Sequence, residues 1–427
     1  MSMILLTLFT ISYFLHLTAR LPLLGQLHFD MLLGVCTLVS VFIQQGVNAL
    51  RLDQKTARLL NQFLLYIFIS LPFVTWPGSV INNNLTDWIK VAIFYLLVVG
   101  AVRSEKQLRL LMIVFVGCQL FRVLEPLYLH ITTGYWGDIA YSHTGGAMTG
   151  LNRLSGAPND VVNATQFAWV IVGTIPFLFY LLWHSTKLGK LLFAVLLVPS
   201  IQALLLTGAR SGLLSIGAVV FGMILLSKKK IRNLLIATAV ALPLALIVIG
   251  QLSSEMQARY LSLVDSNVAG ADTKQGRIDG MLRQLETIAH NPLFGNGLGT
   301  TREVNWNVMG GSSQITHNLY IEILQCTGII GFTIFMLYIA SILKGLKHVH
   351  LILQNKGYGE KDWLWRLSSA TFVWVIMDLF YSISCFGLMS WEWYFFGGVA
   401  TVCFVMANER KPLDIMANIQ EEISYAT

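Results

Sequence analysis

The chain has 427 residues, of which 55% are hydrophobic and only 12% are charged, and its formal net charge is +7 at pH 7. Soluble domains carry roughly 25% charged residues, whereas the apolar runs here are long enough to cross the ~30 Å hydrocarbon core of a membrane. This composition excludes an ordinary soluble protein. The runs are continuous rather than alternating, which also excludes a membrane β-barrel.

The apolar runs predict an all-α fold, a polytopic transmembrane helical bundle of about twelve spans that forms one integral membrane domain over residues 1–427. The predicted spans lie near residues 3–19, 28–46, 61–76, 87–102, 108–130, 161–183, 190–207, 212–227, 232–250, 318–343, 367–387 and 391–407.

The basic residues predict the orientation of the bundle. With both termini in the cytoplasm, most of the 29 Lys and Arg residues fall in cytoplasmic connections, and the loop at 77–86 on the other side contains none. A Lys and Arg excess marks the cytoplasmic loops of membrane proteins. The net positive charge is therefore a topology signal, and it predicts no nucleic-acid partner.

This orientation places residues 131–160, the turn at 207–212 and a large polar loop at 251–316 on the outer side. Long connections in compact folds are more often functional or disordered than idle. The outer side also carries arginines that oppose the general charge bias, and an anionic ligand at this face is one reason for them. They are Arg153, Arg210, Arg259, Arg277 and Arg302.

Arg153 opens the segment that precedes the sixth predicted span. Asn159 and Asp160 in this segment fit a turn and a helix N-cap, as the preceding Pro158 also suggests. Arg153 has no such local explanation, so we regard it as a candidate ligand-binding residue.

The turn at 207–212 reads Thr-Gly-Ala-Arg-Ser-Gly between two apolar helices. Arg210 and Ser211, beside glycines that expose backbone N–H groups at a helix start, are suited to hold a phosphate. The alternative is that Arg210 is an interfacial residue that snorkels to water and caps a helical hairpin.

Within the large loop, residues 276–290 predict an amphipathic helix. Apolar residues recur at helical spacing, and Asn291-Pro292 ends the run. Arg283 falls on the polar side, whereas Arg277 lies on a shoulder of the apolar side and is the better candidate for a site. The apolar set is Ile278, Met281, Leu282, Leu285, Ile288 and Ala289.

The tenth predicted span begins with His317-Asn318-Leu-Tyr-Ile-Glu322. A histidine at the mouth of a membrane helix titrates near neutral pH and can act as a general base. Asn318 and Glu322 are four residues apart and share a helix face, so they can orient a neighbouring group. The alternative is an interfacial histidine at a helix start, but the outward arginines favour the catalytic role.

Two carboxylates, Glu125 and Asp378, lie within apolar runs. Ionisable groups inside a membrane are functional hypotheses by default, and the alternative is that each pairs with a neighbouring helix. No His, Cys, Asp or Glu cluster with metal-ligand spacing occurs in the sequence, so we expect no metal and no other cofactor.

At these positions the chain resembles the O-antigen ligase and polymerase superfamily of bacterial membrane glycosyltransferases. The resemblance covers roughly residues 153–331 by motif and the whole chain by topology. The shared motifs are Arg153 with Gly156 and Asn159, T-x-x-R-S-G-L at 207–213, Arg259-Tyr260, Gly276-Arg277, H-N-P-L-F-G-x-G at 290–297, and H-N-x-Y-x-E-x-x-x-x-x-G-x-x-G at 317–331.

The resemblance implies a GT-C-like enzyme of the bacterial inner membrane that transfers a glycan from undecaprenyl diphosphate at the periplasmic face, without metal or nucleotide sugar. Arg210 and Arg277 would hold the donor diphosphate, and His317 would activate the acceptor hydroxyl. The candidates for substrate binding are Arg153, Arg259, Ser211, Asn318 and Glu322.

Within the superfamily, the start of the helix at 317–322 favours a polymerase that uses lipid-linked glycan as donor and acceptor. The alternatives are a ligase that attaches the glycan to lipid A core, a protein O-oligosaccharyltransferase and, from another class, a lipid-linked oligosaccharide transporter. Nearly charge-free spans and arginines gathered at one face favour an enzyme over a transporter. The expected partners are the lipid-linked donor, a glycan or lipid acceptor, the bilayer and, for a polymerase, a chain-length regulator.

Overall fold

Helices account for every regular element that the structure, a computed structural model, describes. The described residues are 1–137, 152–161, 163–227, 229–232, 250, 254–261, 272–308, 310, 316–385 and 387–413. Apolar stretches satisfy their backbone N–H and C=O groups internally when they are helical, which is the requirement that a bilayer imposes. The prediction of an all-α fold is confirmed.

The helices fall in the following order along the chain. Those of the first third are α1 (Ser2–Phe14), α2 (Leu17–Arg20), α3 (Pro22–Gln26), α4 (Phe29–Gln45), α5 (Lys55–Ser70), α6 (Pro77–Ser79), α7 (Leu85–Ala101) and α8 (Glu105–Thr133). Those that follow are α9 (Ala164–Phe177), α10 (Lys187–Leu206), α11 (Arg210–Leu226), α12 (Ser254–Leu261), α13 (Asp272–Ile288), α14 (Thr301–Val308), α15 (Leu319–Asn355), α16 (Trp363–Tyr381) and α17 (Glu392–Glu409). Short 3₁₀ turns occupy Val47–Leu50 and Leu71–Phe73, and wider π turns occupy Val80–Asn84 and Leu178–Trp183.

Six of the described helical segments are long and apolar enough to cross a membrane, and three shorter apolar helices accompany them. The prediction of a polytopic helical membrane protein is confirmed. The number of twelve spans stays a prediction, because most of the ninth predicted span, residues 233–249, lies outside the described residues. The six segments are Lys55–Phe73, Pro77–Ala101, Glu105–Thr133, Ala164–Trp183, Lys187–Leu206 and Leu319–Asn355.

The core lies where α15 and α17 pack against each other and against α5 and α7. Its largest side chains are aromatic and fully buried, and their polar atoms are paired as buried polar groups must be. Trp88 Nε1 donates to the Tyr394 hydroxyl at 2.7 Å. The Tyr95 hydroxyl is hydrogen-bonded to Thr401 at 3.0 Å.

An ion-pair cluster marks one end of the bundle. Arg410, just after α17, contacts Glu105 at the start of α8 through two bonds of 2.5 and 2.6 Å. The same guanidinium donates to Asp362 at 2.8 Å, directly before α16. Because α8 and α16 both start here, their final residues, Thr133 and Tyr381, lie at the opposite end. The residues singled out by the motifs lie at that opposite end too.

Candidate active site

The turn that carries Arg210 is held by its own backbone and by Thr207. Helix α10 ends at Leu206, and α11 begins at Arg210. The Thr207 hydroxyl accepts a hydrogen bond from the N–H of Ala209 at 3.1 Å and donates to Leu204 O at 2.6 Å. Arg210 is half-buried in the first turn of its helix, as is Ser211. A cation at a helix start is opposed by the helix dipole, so an anion nearby would compensate for its position.

Arg153 is bound to this same turn. Its Nε donates to Thr207 O at 2.7 Å, and its Nη2 lies 3.3 Å from the Thr165 hydroxyl oxygen. The next residue pairs with the end of α10 through its backbone, since Leu154 N donates to Leu206 O at 2.9 Å. The structure therefore brings Arg153 to the turn that carries Arg210 and Ser211.

Tyr260 docks α12 onto the end of α10. Only 3% of Tyr260 is exposed, and its hydroxyl donates to Leu205 O at 3.1 Å. Arg259 is the residue before it and belongs to the same short helix. The side chain of Arg259 lies outside the described part of the structure, so its predicted role in substrate binding stays a prediction.

Tyr381, at the end of α16, joins this region to a second group of motif residues. Its hydroxyl donates to the carbonyl of Thr165 and lies within hydrogen-bond reach of Ser211. The next residue, Ser382, accepts a 2.9 Å hydrogen bond from the backbone of Leu319, the first residue of α15. The end of α16 thus contacts both the Arg210 turn and the start of α15.

His317 is exposed just before the start of α15. The residues that follow it bind the loop after α16. Asn318 is the N-cap of the helix, since its Oδ1 accepts from Ile321 N at 3.0 Å, and its Nδ2 donates to Ile383 O at 2.9 Å. Glu322 is buried and accepts from the N–H groups of Gly387 and Leu388 at 2.8 and 3.1 Å. Asn318 and Glu322 therefore hold the loop after α16 against the helix that presents His317.

The large loop is fastened by Gln325, a residue that the motif analysis missed. Gln325 is fully buried, and its Nε2 donates to Thr287 Oγ1 at 2.7 Å and contacts Asn305 Oδ1 at 3.3 Å. Its Oε1 accepts from the Thr316 hydroxyl at 2.5 Å. One amide side chain therefore links α13, α14 and α15 with the residue before His317. The sequence feature that could have indicated this role is a glutamine inside an apolar run.

Helix α15 is broken at Gly328, and the glycine-rich stretch at 295–297 fills the break. Gly328 has φ +62°, so α15 loses its regular hydrogen bonds there. Asn296 N donates to Gln325 O at 2.7 Å, and Gly297 N donates to Cys326 O at 3.0 Å. A Cβ on Gly295 would lie 2.5 Å from backbone atoms of Cys326 and Gly328, so only glycine fits this approach.

The predicted amphipathic helix within the large loop is confirmed as α13, and the structure shows which of its sides the protein covers. Gln284 and Thr287 are buried, while Leu282 and Leu285 are exposed by 57% and 45%. The protein covers the side that carries Gln284 and Thr287, because the buried amide of Gln325 binds Thr287 there. Exposed leucines on an amphipathic helix suit a membrane surface. Arg283 is exposed as predicted, and the side chain of Arg277 lies outside the described residues.

A buried ion-pair cluster lies beside the site, and the sequence analysis missed it. Arg122 in α8 is buried and binds Asp160, with Nη2 2.7 Å from Oδ1 and Nε 3.0 Å from Oδ2. The predicted capping role of Asn159 and Asp160 was wrong, because Asn163 caps α9 by accepting from Thr165 N at 2.7 Å. Asp160 pairs with the guanidinium of Arg122, since a buried arginine requires a charged partner.

The two carboxylates inside apolar runs each have a partner on a neighbouring element. Arg20, at the end of α2, forms two bonds of 2.7 Å to Glu125 in α8. Trp169 Nε1 in α9 donates to Asp378 Oδ1 in α16 at 2.7 Å. Each carboxyl group is therefore paired with a neighbouring helix, as one of the two interpretations predicted.

Among the described residues, no three His, Cys, Asp or Glu side chains form a group that could hold a metal ion. The described cations near the motif turn are guanidiniums, which suit the planar oxygens of phosphate groups. Arg153 and Arg210 thus lie at the same turn. His317 is exposed, and the end of α16 connects its segment to that turn. Such a set can bind a phosphorylated group and remove a proton from a bound hydroxyl.

One family model, described as O-antigen ligase, matches residues 195–336, about a third of the chain. The match begins within α10 and ends within α15, so it includes the Arg210 turn, α12 to α14 and His317. It confirms the resemblance to the O-antigen ligase and polymerase superfamily that the motifs indicated. No curated protein matches the chain in sequence.

Proposed function

We propose that the protein transfers a glycan from undecaprenyl diphosphate to a hydroxyl group of an acceptor, at the periplasmic face of the bacterial inner membrane. One observation carries this proposal. The Arg210 turn and the His317 segment, which are far apart in sequence, both connect to the end of α16. Arg153 bonds to Thr207 of the turn and to Thr165, whose carbonyl accepts from Tyr381, and Leu319 bonds to Ser382. Arg210, the proposed phosphate ligand, and His317, the proposed base, also both fall inside the stretch that matches the O-antigen ligase model, which supports the proposal.

The reaction follows from the roles of these groups. His317 takes the proton from the acceptor hydroxyl, and the acceptor oxygen forms a bond to the anomeric carbon of the donor sugar. The bond between that carbon and the diphosphate oxygen breaks, and its electron pair stays on the diphosphate. Guanidiniums stabilise the charge that develops on this leaving group. The products are the extended glycan and undecaprenyl diphosphate, without a metal ion.

Arg210 and Arg277 are the proposed ligands of the diphosphate. Position 277 is seven residues before Gln284, and two helical turns place both positions on the same side of α13. Gln284 and Thr287 on this side are buried near Gln325.

The remaining motif residues have supporting roles in this proposal. Arg153 and Ser211 flank the Arg210 turn, and Arg259 lies beside the buried Tyr260. Asn318 and Glu322 act by holding the start of α15, since their described contacts go to backbone groups of residues 383–388. We therefore assign them to the positioning of His317.

The polymerase is the favoured member of the superfamily, on the helix start at 317–322, and a ligase is the alternative. The two differ in the acceptor and share the chemistry at Arg210, Arg277 and His317. A chain-length regulator is an expected partner of the polymerase only.

Reconstitution tests the proposal. The purified protein in liposomes receives a lipid-linked repeat unit as donor, and release of undecaprenyl diphosphate is followed together with glycan length. Transfer requires that the bond between sugar and diphosphate breaks, so we expect both products to form together. A transporter would instead move the intact lipid-linked glycan across the bilayer, and translocation without release would contradict the proposal.

A further inference from the structure

A cavity of about 320 Å³ adjoins the candidate site at Tyr381. Tyr381, Ser382 and Gly387 line it, and these residues also contact Thr165, Leu319 and Glu322 in the candidate site. Its other walls come from the end of α1, from α8 and α9, and from the start of α17. The volume lies at the lower end of the range for small-molecule sites, which begins near 300 Å³.

Glu392, the first residue of α17, faces this cavity with an unpaired oxygen. Only 8% of the residue is exposed, and its Oε2 is buried without a hydrogen-bond partner among the described residues. Arg122, the nearby cation, is already engaged by Asp160 and by Gln119, whose Oε1 accepts from Nη1 at 3.0 Å. A buried carboxylate oxygen is rarely left unpaired in a folded protein. Glu392 is therefore placed to accept a hydrogen bond from a ligand.

A second carboxylate, Asp378, lines the same cavity. It is 6% exposed, and one of its oxygens accepts the Trp169 indole N–H at 2.7 Å. A carboxyl group has two oxygens, so Asp378 has hydrogen-bonding capacity beyond the bond from Trp169. Ser390 and Gln166 also line the cavity and offer a hydroxyl and an amide.

Aromatic rings form the rest of the wall. Trp169 and Trp391 are half-buried and stand nearly perpendicular, at 72° with ring centroids 6.2 Å apart. Phe14 packs edge-on against Trp391 at 4.5 Å, and Asp378 fixes the indole of Trp169. These contacts hold both indoles in place, and an amphipathic ring presents an apolar face beside polar groups.

We propose that this cavity is a subsite for one sugar ring of the glycan substrate. The C–H face of a pyranose packs on an indole, while its hydroxyl groups donate to Glu392 and Asp378. This pairing supplies the missing partner of Glu392 Oε2 and needs no charge on the sugar. The assignment rests on the proposed function, because it takes the glycan as the substrate that reaches the end of α16.

The test compares two lipids that differ only in the glycan. Full-length protein in nanodiscs is titrated with the native undecaprenyl-diphosphate glycan and with undecaprenyl diphosphate alone. The variants are Glu392→Gln and Trp391→Ala, and the control is Glu409→Gln, which lies exposed at the other end of α17. We expect both variants to weaken binding of the glycan-bearing lipid about tenfold, because Glu392→Gln alters the hydrogen bond to the sugar and Trp391→Ala removes the ring on which the sugar packs. Binding of undecaprenyl diphosphate by both variants should remain at the wild-type level. Binding of either lipid by the Glu409→Gln control should also remain at the wild-type level.

Thermal stability separates a binding role from a structural one. Glu392→Gln replaces a buried carboxyl group that has an unpaired oxygen with an amide of nearly the same size, so its Tm should stay level. Wild-type affinity for the glycan-bearing lipid in both variants, or an equal loss for both lipids, would overturn the sugar subsite. A wild-type protein that fails to bind undecaprenyl diphosphate would instead overturn the proposed function. In that case, weaker binding of the glycan-bearing lipid by the variants would still support the subsite.

Discussion

The hydroxyl of Thr316 donates a 2.5 Å hydrogen bond to Oε1 of Gln325, nine residues further along the chain and fully buried in α15. This bond fixes the residue that immediately precedes His317. Because the same amide also holds Thr287 and Asn305, the position of the proposed base depends on the docking of the large loop. The large loop therefore holds the residue before His317, and the end of α16 holds the residues after it.

The first prediction concerns this amide. Gln325→Leu keeps the approximate size of the side chain but removes its donors and acceptors. The buried hydroxyl of Thr316 then loses its acceptor, which should cost about 1–3 kcal/mol of stability, whereas the hydroxyl of Thr287 keeps its bond to Gln284 O. We also expect lower turnover, since His317 is no longer held. Tm in detergent and the rate of glycan transfer measure the two effects.

Gln354→Leu is the control for this variant, because Gln354 lies exposed near the other end of the same helix. It should leave stability and turnover at the wild-type level. A Gln325→Leu protein that matches the control in both measurements would show that the amide does not hold the site.

The second prediction concerns the base. His317→Ala should reduce glycan transfer by about 10²–10⁴-fold, the usual effect of removing a general base. Since His317 is exposed, its loss should leave Tm and binding of the lipid-linked donor nearly unchanged. Near-normal glycan assembly by this variant in cells would refute the assignment of His317 as the base.

The third prediction concerns the arginines. Arg210→Lys and Arg277→Lys keep the charge but lose the planar fork that binds two phosphate oxygens at once, so transfer should be severely impaired. Arg283→Lys is the matched control in α13, where Arg283 is exposed, and it should be nearly silent. Equal tolerance of lysine at all three positions would show that no bidentate contact is required.

The fourth prediction concerns the break in α15. Gly295 has φ +76°, and an added Cβ would lie 2.5 Å from the backbone of Cys326 and Gly328. Gly295→Ala should therefore destabilise the protein by more than the roughly 1–3 kcal/mol that a left-handed conformation alone costs. The measurement is Tm in detergent.

Gly217→Ala in α11 is the control for the break, since a Cβ there meets nothing within 4 Å. Alanine is the better helix former, so its Tm should hold or rise. A Gly295→Ala protein as stable as this control would mean that the stretch at 295–297 does not pack in the break.

Local patterns were sufficient to predict the helices and the Arg210 turn, because each depends on neighbours in sequence. Partners distant in the chain could not be predicted in the same way. Arg122 and Asp160 are separated by 38 residues, and only the folded bundle brings them together. Helical spacing also shows that α13 is amphipathic without showing which face the protein covers. The exposure of Leu282 and Leu285 could therefore not be predicted, since a helix at a membrane surface can expose its leucines.

The last prediction separates polymerase from ligase. A polymerase accepts lipid-linked glycan as both donor and acceptor, so undecaprenyl-diphosphate repeat units alone should yield a ladder of longer lipid-linked products. A ligase has an acceptor site for a different molecule, and it should do nothing until that acceptor is added. We expect the ladder, resolved by gel electrophoresis after reaction of the reconstituted protein.

The His317→Ala protein is the control for this reaction and should give no ladder. Substitutions at Arg210, Arg277 or His317 cannot separate the two functions, because both use the same bond-breaking step. The two functions differ in the acceptor that they use. The second arm of the experiment therefore adds lipid A core to the same mixture. A reaction that is silent with donor alone and proceeds after this addition would identify a ligase. In that outcome the roles of the arginines and of His317 would stand, since the leaving group and the proton transfer are unchanged.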